Sequence, residues 1–316
     1  MIIEQILQAS LTKTDKAKKL FELGKTRKEV AELLNCNYGM IQNIYARAYP
    51  DRIRHRGIGE LIEEATWTLT DFEFTHKFGI EIEAFGINRN ELATELTEAG
   101  IPSRAEGYTH RVPNAWRVTT DRSIRGTNPF ELVSPILQGE QGLRTLKTAT
   151  HILKGMEAKV NQSTGLHLHF DATNFDLATW KRLYKNYARL ERLIDGFMPN
   201  SRRANNSTYC RSIRADHYEL KIDSANSLEQ VEREITNRNR FFKLNTQSFW
   251  RQRSVEFRQH SGTINYKKIS NWIIFLARLV EFSKTAEVTG ENWEACKAFL
   301  PDELISYFKQ RTQELA

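Results

Sequence analysis

Three short segments of the chain alternate between apolar positions and positions with chemically reactive side chains. In residues 78–83, Ile80 and Ile82 share one side of an extended chain and Glu81 and Glu83 share the other, because successive side chains of a strand point to opposite faces. Residues 166–170 and 255–260 repeat this pattern. They predict strands of one sheet with an apolar back and a reactive front, which carries His167, His169, Glu256, Arg258 and His260.

Helical periodicity and turn residues account for most of the remaining chain. Helices end at Gly or Pro and begin at capping residues, and strands are short apolar runs between turn formers. The pattern predicts further strands at 116–121, 130–135 and 241–245, and helices at 89–99, 139–158, 177–198, 226–237, 266–283 and 291–314. Residues 199–211 are polar and rich in arginine, which is typical of a disordered tip or of a lid that closes over anions.

The first 50 residues predict a small helical unit of their own. A helix over 14–24 is followed by a capping box at Thr26 and Glu29, a turn at 35–37 and a helix over 38–45. This arrangement resembles the helix-turn-helix units of bacterial and phage regulators. The resemblance implies that the outward residues of a recognition helix are Tyr38, Gln42, Asn43 and Arg47. The alternative is a three-helix bundle for protein contact or dimerisation.

Charge sets this unit apart from the rest of the chain. The 316 residues carry a net charge of +7, and residues 1–56 hold eleven Lys and Arg against six Asp and Glu. A basic appendage on a nearly neutral body favours an anionic partner, such as nucleic acid, for the appendage. We therefore expect a helix-turn-helix-like domain at 1–50, a linker at 51–66 and a second domain at 67–316.

Composition predicts a cytoplasmic protein. The chain has no apolar run long enough to span a membrane, and its first residues lack the basic and then apolar pattern of a signal peptide. The three cysteines, Cys36, Cys210 and Cys296, are too widely spaced for a disulfide framework or a zinc motif.

The reactive positions together predict a metal and phosphate site. Each segment alone is typical of a solvated sheet face or of a surface ion pair, which adds little to stability. Three such strands in one chain favour a functional site. Carboxylates with one or two histidines suit Mg²⁺ or Mn²⁺ better than Zn²⁺, and arginines bind phosphate oxygens. No phosphate-binding loop or kinase signature is present. The candidates are Glu81, Glu83, Asp121, Glu131, His167, His169, Glu256, Arg258 and His260, with Arg202, Arg203 and Arg211 from the polar segment.

Several motifs follow one another in a fixed order along the chain. They are Phe-Gly-Ile-Glu-Ile-Glu at 78–83, Trp116 to Ser123, Glu-Leu-Val-Ser-Pro at 131–135, Thr-Gly-Leu-His-Leu-His at 164–169, Ser-Arg-Arg at 201–203, Tyr209-Cys210, Leu244-Asn245 and 255–263. Together these motifs resemble the amidoligase family, whose relatives include glutamine synthetase and glutamate-cysteine ligase. The resemblance covers about residues 70–285, and one motif departs from the family pattern, since Arg122 replaces the glycine of Asp-Gly-Ser.

The resemblance implies a fold and a reaction. The fold would be α+β, with a curved antiparallel sheet of glutamine-synthetase-like type, flanking helices and an ATP site. ATP would phosphorylate a carboxylate, and an amine would attack the acyl phosphate to give an amide. The carboxylate and the amine would come from small molecules, peptides or protein side chains.

The resemblance also implies roles for individual residues. Two or three Mg²⁺ ions would be held by Glu81, Glu83, Glu131, His167 or His169, and Glu256. Arg258, with Arg202 or Arg203, would contact the γ-phosphate or the substrate carboxylate. Asp121 and Glu256 are among the acids that could take the proton of the incoming ammonium, and Arg211, Asn245 and His260 are candidate nucleotide-binding residues.

Two other functions stay open at this point. Acids, histidines and a basic N-terminal unit also suit a metal-dependent hydrolase or nuclease. The third hypothesis is a regulator in which a ligase-like domain senses a ligand and is attached to a DNA-binding domain. Dependence on ATP separates the ligase from the hydrolase, and turnover separates it from the sensor.

Overall fold

The structure is a computed structural model that describes residues 3–23, 25, 27–48, 74–107 and 112–315, without the side chains of residues 28, 42, 43, 46 and 47. The chain divides into two compact units, Met1–Glu64 and Ala65–Ala316. The predicted linker at 51–66 and the capping residue Thr26 lie outside the described residues.

Among its described residues, the first unit contains four helices: α1 (Ile3–Gln8), α2 (Lys13–Glu22), α3 (Arg27–Leu33) and α4 (Tyr38–Ala48). Helix α2 begins where the Thr12 hydroxyl accepts a hydrogen bond from the backbone N–H of Asp15, as expected of an N-cap. The helices enclose a small apolar core, and Asn35 takes a left-handed φ of 46° in the turn between α3 and α4. The core residues are Ile6, Ala17, Leu20, Phe21, Val30, Ala31, Ile41 and Ile44.

The second unit is built on an eight-stranded, mostly antiparallel sheet. Its order is β2-β3-β4-β1-β6-β8-β7, with β5 also paired to β1, and β2 pairs with β3 in parallel. The α+β class with an antiparallel sheet is therefore confirmed. The strands are β1 (Lys77–Ala84), β2 (Ser103–Ala105), β3 (Trp116–Thr119), β4 (Phe130–Val133), β5 (Leu137–Gln138), β6 (Gly165–Asp171), β7 (Leu244–Asn245) and β8 (Ser254–Ser261).

The back face of the sheet, which carries Ile80 and Ile82, is buried together with the helices in one large apolar core. Helices α7 and α11 contribute most, because each presents a long apolar stripe. The helices of this unit are α5 (Arg89–Glu98), α6 (Gly139–Gly155), α7 (Leu177–Gly196), α8 (Tyr218–Ser224), α9 (Leu228–Thr236), α10 (Gln247–Gln252), α11 (Tyr266–Ser283), α12 (Trp293–Cys296) and α13 (Asp302–Glu314), with a 3₁₀ turn at Asn200–Arg202.

The strand register aligns the front positions in rows across the sheet. Glu83 lies opposite Glu131 on β4, and Glu81 lies opposite His167 on β6. His169 in turn lies opposite Glu256 on β8. Between Leu166 and Leu168 the pairing with β8 shifts by a β-bulge, so that Leu168 faces Phe257 whereas Leu166 faces His260. The bulge changes which face of β8 the later residues occupy.

Several predicted bounds change in the structure. The predicted helix at 291–314 is two helices separated at Pro301, whose ring cannot continue a helix. The segment at 199–211 is neither a disordered tip nor wholly exposed, since Arg202 and Cys210 are buried. Helix α1, strands β2 and β5, and helices α8 and α10 were not predicted, because segments this short carry little periodicity.

Across the part of the chain that the structure covers, no helix combines the length and the apolar character that a bilayer crossing requires.

Candidate active site

Three neighbouring strands bring acids and imidazoles together on the front face of the sheet. The Nδ1 atom of His167 lies 3.0 Å from Oε2 of Glu81 and 3.8 Å from Oε1 of Glu256, and its Nε2 atom lies 3.7 Å from Oε1 of Glu83. The Nε2 atom of His169 lies 3.5 Å from Oε1 of Glu81. The predicted grouping of these residues on one face is therefore observed.

The acids of β4 and of the following loop complete this cluster. One potential ligand atom from each of Glu83, Asp121 and Glu131 lies within 4.8 Å of the other two. The same spacing holds for Glu81 with Glu131 and His167, and for Glu81 with His169 and Glu256. Strand β3 ends at Thr119, and the Asp121 carboxylate accepts a hydrogen bond from the backbone N–H of Ser123, so a turn rather than a strand positions this acid.

Hydrogen bonds from the backbone and from amides orient two of the acids. The backbone N–H of Gly165 donates to Oε2 of Glu83 at 2.6 Å, and the amide of Asn245 donates to Oε2 of Glu256 at 2.5 Å. The guanidinium of Arg258 donates to the other oxygen of Glu256. The sequence motif that contains Asn245 thus places an amide beside a predicted metal ligand.

Opposing effects set the charge of Glu81. Burial would raise the pKa of this carboxyl group, but the hydrogen bond with His167 and the charges of His167 and His169 outweigh burial and hold the pKa well below its usual range. For His169, burial would lower the pKa, but Glu81 and Glu256 raise it. Glu81 is therefore an anion at neutral pH.

The pKa of Glu131 indicates how well the cluster suits a cation. Burial and then the negative charges of Glu81, Glu83 and Asp121 raise the pKa of Glu131 well above its usual range. A cation between these carboxylates would remove the repulsion that produces this shift. The buried Nε2 atom of His169 also has no hydrogen-bond partner among the described residues. Both observations fit a hard divalent cation with oxygen and imidazole ligands.

Two arginines border the cluster. Burial would lower the pKa of Arg258, but the charges of Glu256, Glu81 and Glu83 raise it, so this side chain is a permanent cation. Arg202 is 5% exposed and donates one hydrogen bond to the carbonyl of Thr164, while its buried Nε has no hydrogen-bond partner within the described chain. Both arginines line the same cavity and can receive an anion there.

That cavity covers the front of the sheet. Its volume is about 1300 Å³, and it is lined by the acidic cluster, the two arginines, Asn245 and the loop that contains Tyr209. Such a volume exceeds the usual range for a single small ligand of about 300–1000 Å³. The cavity can therefore accommodate more than one substrate.

The structure separates His260 from the predicted site. Because of the bulge in β8, His260 pairs with Leu166 of the back face and packs against Trp272, with a distance of 5.8 Å between ring centroids. Burial lowers its pKa to about 3, so the ring is neutral. The prediction that His260 shares the face of Glu256 and Arg258 is wrong, since strict alternation does not continue through a bulge.

Two arginines of the polar segment also lie elsewhere. Arg203 donates hydrogen bonds to the carbonyls of Met198, just after α7, and of Leu315, just after α13. Its side chain therefore connects the ends of two helices and does not face the cavity. Arg211 stacks over the ring of Phe242 at 4.6 Å and does not line the cavity. Of the three arginines predicted from the polar segment at 199–211, only Arg202 lines the cavity.

The predicted nucleic-acid residues lie in α4 of the first unit. Tyr38 is half-buried and packs against the apolar core of that unit. The side chains of Gln42, Asn43 and Arg47 lie outside the described ones, so their predicted role stays a prediction.

Sequence reasoning missed a buried network that supports the site. The ammonium of Lys243 is fully buried and contacts Glu191 at 3.0 Å and Asp195 at 2.7 Å. The carbonyl of Lys243 accepts a hydrogen bond from the backbone N–H of Arg258, and Gln259 donates to Asp195. No local motif marks these residues, although Lys243 is a charged residue in the middle of the strand predicted at 241–245.

The fold and the cluster together define an α+β protein whose sheet carries a carboxylate-rich, imidazole-containing group of potential metal ligands next to Arg202 and Arg258. The family model described as "Putative amidoligase enzyme" matches residues 75–280, and the chain belongs to this amidoligase family. The family membership supports an enzyme that joins a carboxylate to an amine.

Comparisons outside the family model are more distant. Among solved structures, the chain is similar to a protein described as a "novel glutamine synthase homolog", with 11% sequence identity, coverage of 77% of this chain and 67% of that chain, and a TM-score of 0.38. No curated protein sequence matches the chain significantly.

Proposed function

We propose that this protein is an ATP- and Mg²⁺-dependent carboxylate-amine ligase that acts through an acyl phosphate. The observation that carries the proposal is the cluster on the front of the sheet, in which three overlapping groups of potential ligands lie beside Arg258 and Arg202. Family membership supports the ligase class. Phosphoryl transfer needs this combination of bound cations and arginines around the phosphate oxygens.

In this proposal the acids and imidazoles on the front of the sheet would hold Mg²⁺, which would supply positive charge to offset the charge of the nucleotide phosphates. The Mg²⁺ ligands would be Glu81, Glu83, Asp121, Glu131, His167, His169 and Glu256.

The side chains of this chain position the reactants. Arg258, held by Glu256, and Arg202, held by the carbonyl of Thr164, bind the γ-phosphate and the substrate carboxylate. A carboxylate oxygen of the substrate attacks the γ-phosphorus, and ADP leaves. The amine nitrogen then attacks the acyl carbon, phosphate leaves, and an acid of the cluster takes the proton of the ammonium.

Trapping of the intermediate tests this proposal. We would incubate the protein with ATP, Mg²⁺, hydroxylamine and a panel of carboxylates, and measure ADP and hydroxamate, which hydroxylamine forms from an acyl phosphate. The proposal predicts equal amounts of ADP and hydroxamate with the accepted carboxylate, and loss of both on Arg258→Gln but not on Arg192→Gln at an exposed position of α7. ADP formation without hydroxamate for any carboxylate would contradict it and favour an ATP hydrolase.

A DNA-binding role of the first unit is a second proposal. Helix α3, the turn at Asn35 and helix α4 form a compact unit with its own apolar core, and residues 1–56 carry a strong excess of positive charge. Such a unit could bring the ligase to nucleic acid through phosphate contacts.

A further inference from the structure

Six exposed arginines line the active-site cavity outside the cluster of potential metal ligands. Arg251 and Arg253 lie next to the start of β8. Of the other four, two lie in the loop between β3 and β4, and two lie between α9 and β7. None forms an ion pair with another described residue in this structure. We name these four residues the arginine rim: Arg122, Arg125, Arg238 and Arg240.

The two halves of the rim lie at the same end of the sheet. The backbone N–H of Gly86, just beyond β1, donates to the carbonyl of Thr127, and Asn161 donates to the carbonyl of Arg125. The loop of Arg122 and Arg125 is therefore fixed at the end of β1 that follows Glu83. The last residues of β8 reach this end too, since Ser261 pairs with Gly165 at the start of β6. Strand β7 is antiparallel to β8, and the carbonyl of Lys243 accepts a hydrogen bond from Arg258, so the segment with Arg238 and Arg240 that precedes β7 extends toward the same end.

Aromatic contacts connect the other half of the rim to the reaction centre. The guanidinium of Arg240 lies 5.0 Å from the ring centroid of Phe241, and that of Arg258 lies 6.0 Å from the same centroid. Phe241 also meets Tyr209, a half-exposed residue of the cavity wall, at 5.3 Å. A chain that leaves Arg258 along this wall therefore reaches Arg240 directly.

The charge of the rim is not balanced by nearby acids. Among the described residues that line the cavity, the acids are Glu81, Glu83, Asp121, Glu131, Glu256 and Asp171. The first five belong to the potential metal ligands, and Asp171 lies at the end of β6, opposite the rim. The rim thus presents four positive charges to whatever occupies this end of the cavity.

One reacting carboxylate does not need four further arginines. Arg202 and Arg258 already face the reaction centre and can pair with one carboxylate and one phosphate. Four extra cations match a ligand with several negative charges. Because the reacting group in the proposed function is a carboxylate, a chain of carboxylates fits better than nucleic acid, which has none.

We infer that the carboxylate substrate is part of an acidic peptide, and that the arginine rim binds the carboxylates that follow or precede the reacting one. This inference rests on the proposed function for the identity of the reacting group. Arg122, one of the four, directly follows Asp121 in the sequence. It places a cation beside this acid, where the acidic chain passes.

Peptide binding tests the inference without turnover. We would measure the binding of fluorescein-labelled pentaglutamate to the full-length protein by fluorescence anisotropy, with free glutamate and an oligonucleotide of equal charge as competitors. The variants are Arg122→Gln with Arg125→Gln, Arg238→Gln with Arg240→Gln, and all four together. The control is Arg192→Gln with Arg233→Gln, two exposed arginines on α7 and α9 that do not line the cavity.

The inference predicts that the fourfold variant binds pentaglutamate at least about tenfold more weakly than wild type, as expected when several exposed ion pairs are lost together. The control pair stays within about twofold, and free glutamate competes poorly. Equal binding by wild type and the fourfold variant would overturn the inference. So would stronger binding of the oligonucleotide, which would assign the rim to nucleic acid.

Nucleotide binding separates this inference from the proposed function. ATP with Mg²⁺ should bind the fourfold variant as it binds wild type, measured by calorimetry. Loss of ATP binding in that variant would mean that the rim receives the nucleotide, and would overturn the inference while leaving the ligase proposal intact. Failure of wild type to bind ATP, with pentaglutamate still bound through the rim, would contradict the ligase proposal alone.

Discussion

At the scale of single residues, the acidic cluster costs stability that a bound cation would recover. Glu131 is buried among Glu81, Glu83 and Asp121, and burial together with their repulsion raises its pKa. At neutral pH the folded protein must either keep this carboxyl protonated or tolerate another buried charge, whereas the unfolded chain ionises it freely. The arrangement of the site therefore favours ligand binding and lowers the stability of the protein without ligand.

Glu131→Gln should make this cost measurable. In EDTA we expect the variant to have a higher free energy of unfolding than wild type at pH 7, by about 1 kcal/mol or more, because one repelling carboxylate is gone. In Mg²⁺ the wild type should gain stability and the variant should gain less. Urea unfolding in both buffers measures this, with Glu229→Gln on the exposed side of α9 as control. A variant that is destabilised in EDTA would contradict the account.

His260, which lies outside the site, should affect the pH dependence of stability but not ligand binding. Its folded pKa is lowered to about 3 by burial, so only the unfolded chain gains a proton as the pH falls below about 6.5. The stability contributed by the neutral ring is therefore present above that pH and is lost on acidification, by up to about 1.4 kcal/mol per pH unit.

His260→Phe, which cannot be protonated, should show a shallower loss of unfolding free energy between about pH 6.5 and pH 4 than wild type. Nucleotide binding by the variant should match wild type, because the ring packs on Trp272. Parallel pH slopes for the two proteins would contradict the lowered pKa of His260, and loss of ATP binding would place the ring in the site.

At the scale of elements, strand register assembles the site, and glycines keep the strands close. A Cβ on Gly262 would lie 2.1 Å from Oγ1 and 2.5 Å from Cβ of Thr164, whose neighbour Gly165 binds Glu83. A Cβ on Gly79, on the front face, would meet only Cβ of His169, at 3.6 Å, which is ordinary contact. Close packing against Thr164 thus requires Gly262, whereas Gly79 has room for a side chain and lines the cavity.

These two glycines form a matched pair of variants. Gly262→Ala should lower the free energy of unfolding by about 1–3 kcal/mol, as overpacking does. Gly79→Ala should leave it unchanged or slightly higher, since Ala suits a strand better than Gly. Denaturant unfolding of both variants measures the difference. Equal destabilisation by the two substitutions would show that Gly79 is also required by packing.

The same register explains how far the site could be predicted. Alternation alone correctly grouped Glu81 and Glu83 with His167, His169 and Glu256. It failed for His260, because a bulge is set by three-dimensional pairing and leaves no mark in the periodicity. The side chain of Arg203 was misjudged for a related reason, since composition shows that a loop is cationic but not which cations bind backbone carbonyls.

At the scale of the whole molecule, the chain consists of two compact units with different chemistry. The long helices and central strands of the second unit were predictable from their regular patterns, and α11 has the predicted bounds, 266–283. The parallel pairing of β2 with β3 and the contacts of buried Lys243 were not, because both depend on residues far apart in sequence.

Removal of residues 1–56 should separate the two activities that we propose. Retention of the protein on immobilised DNA should weaken with rising salt for the full-length chain and be largely lost after the deletion, because that segment carries most of the net charge. ATP binding should persist in the shortened chain. Unchanged, salt-sensitive DNA retention after the deletion would contradict a nucleic-acid role for the first unit.

The most direct test of the account is calorimetric titration of the full-length protein with ATP, with and without Mg²⁺. Wild type should bind ATP only with the metal, and Glu81→Gln combined with Glu83→Gln should abolish this binding, whereas Glu229→Gln combined with Glu234→Gln on the exposed side of α9 should not. Absence of nucleotide binding by folded wild type, or undiminished binding by the Glu81 and Glu83 double variant, would contradict the central claim that this acidic cluster is the nucleotide site of a ligase.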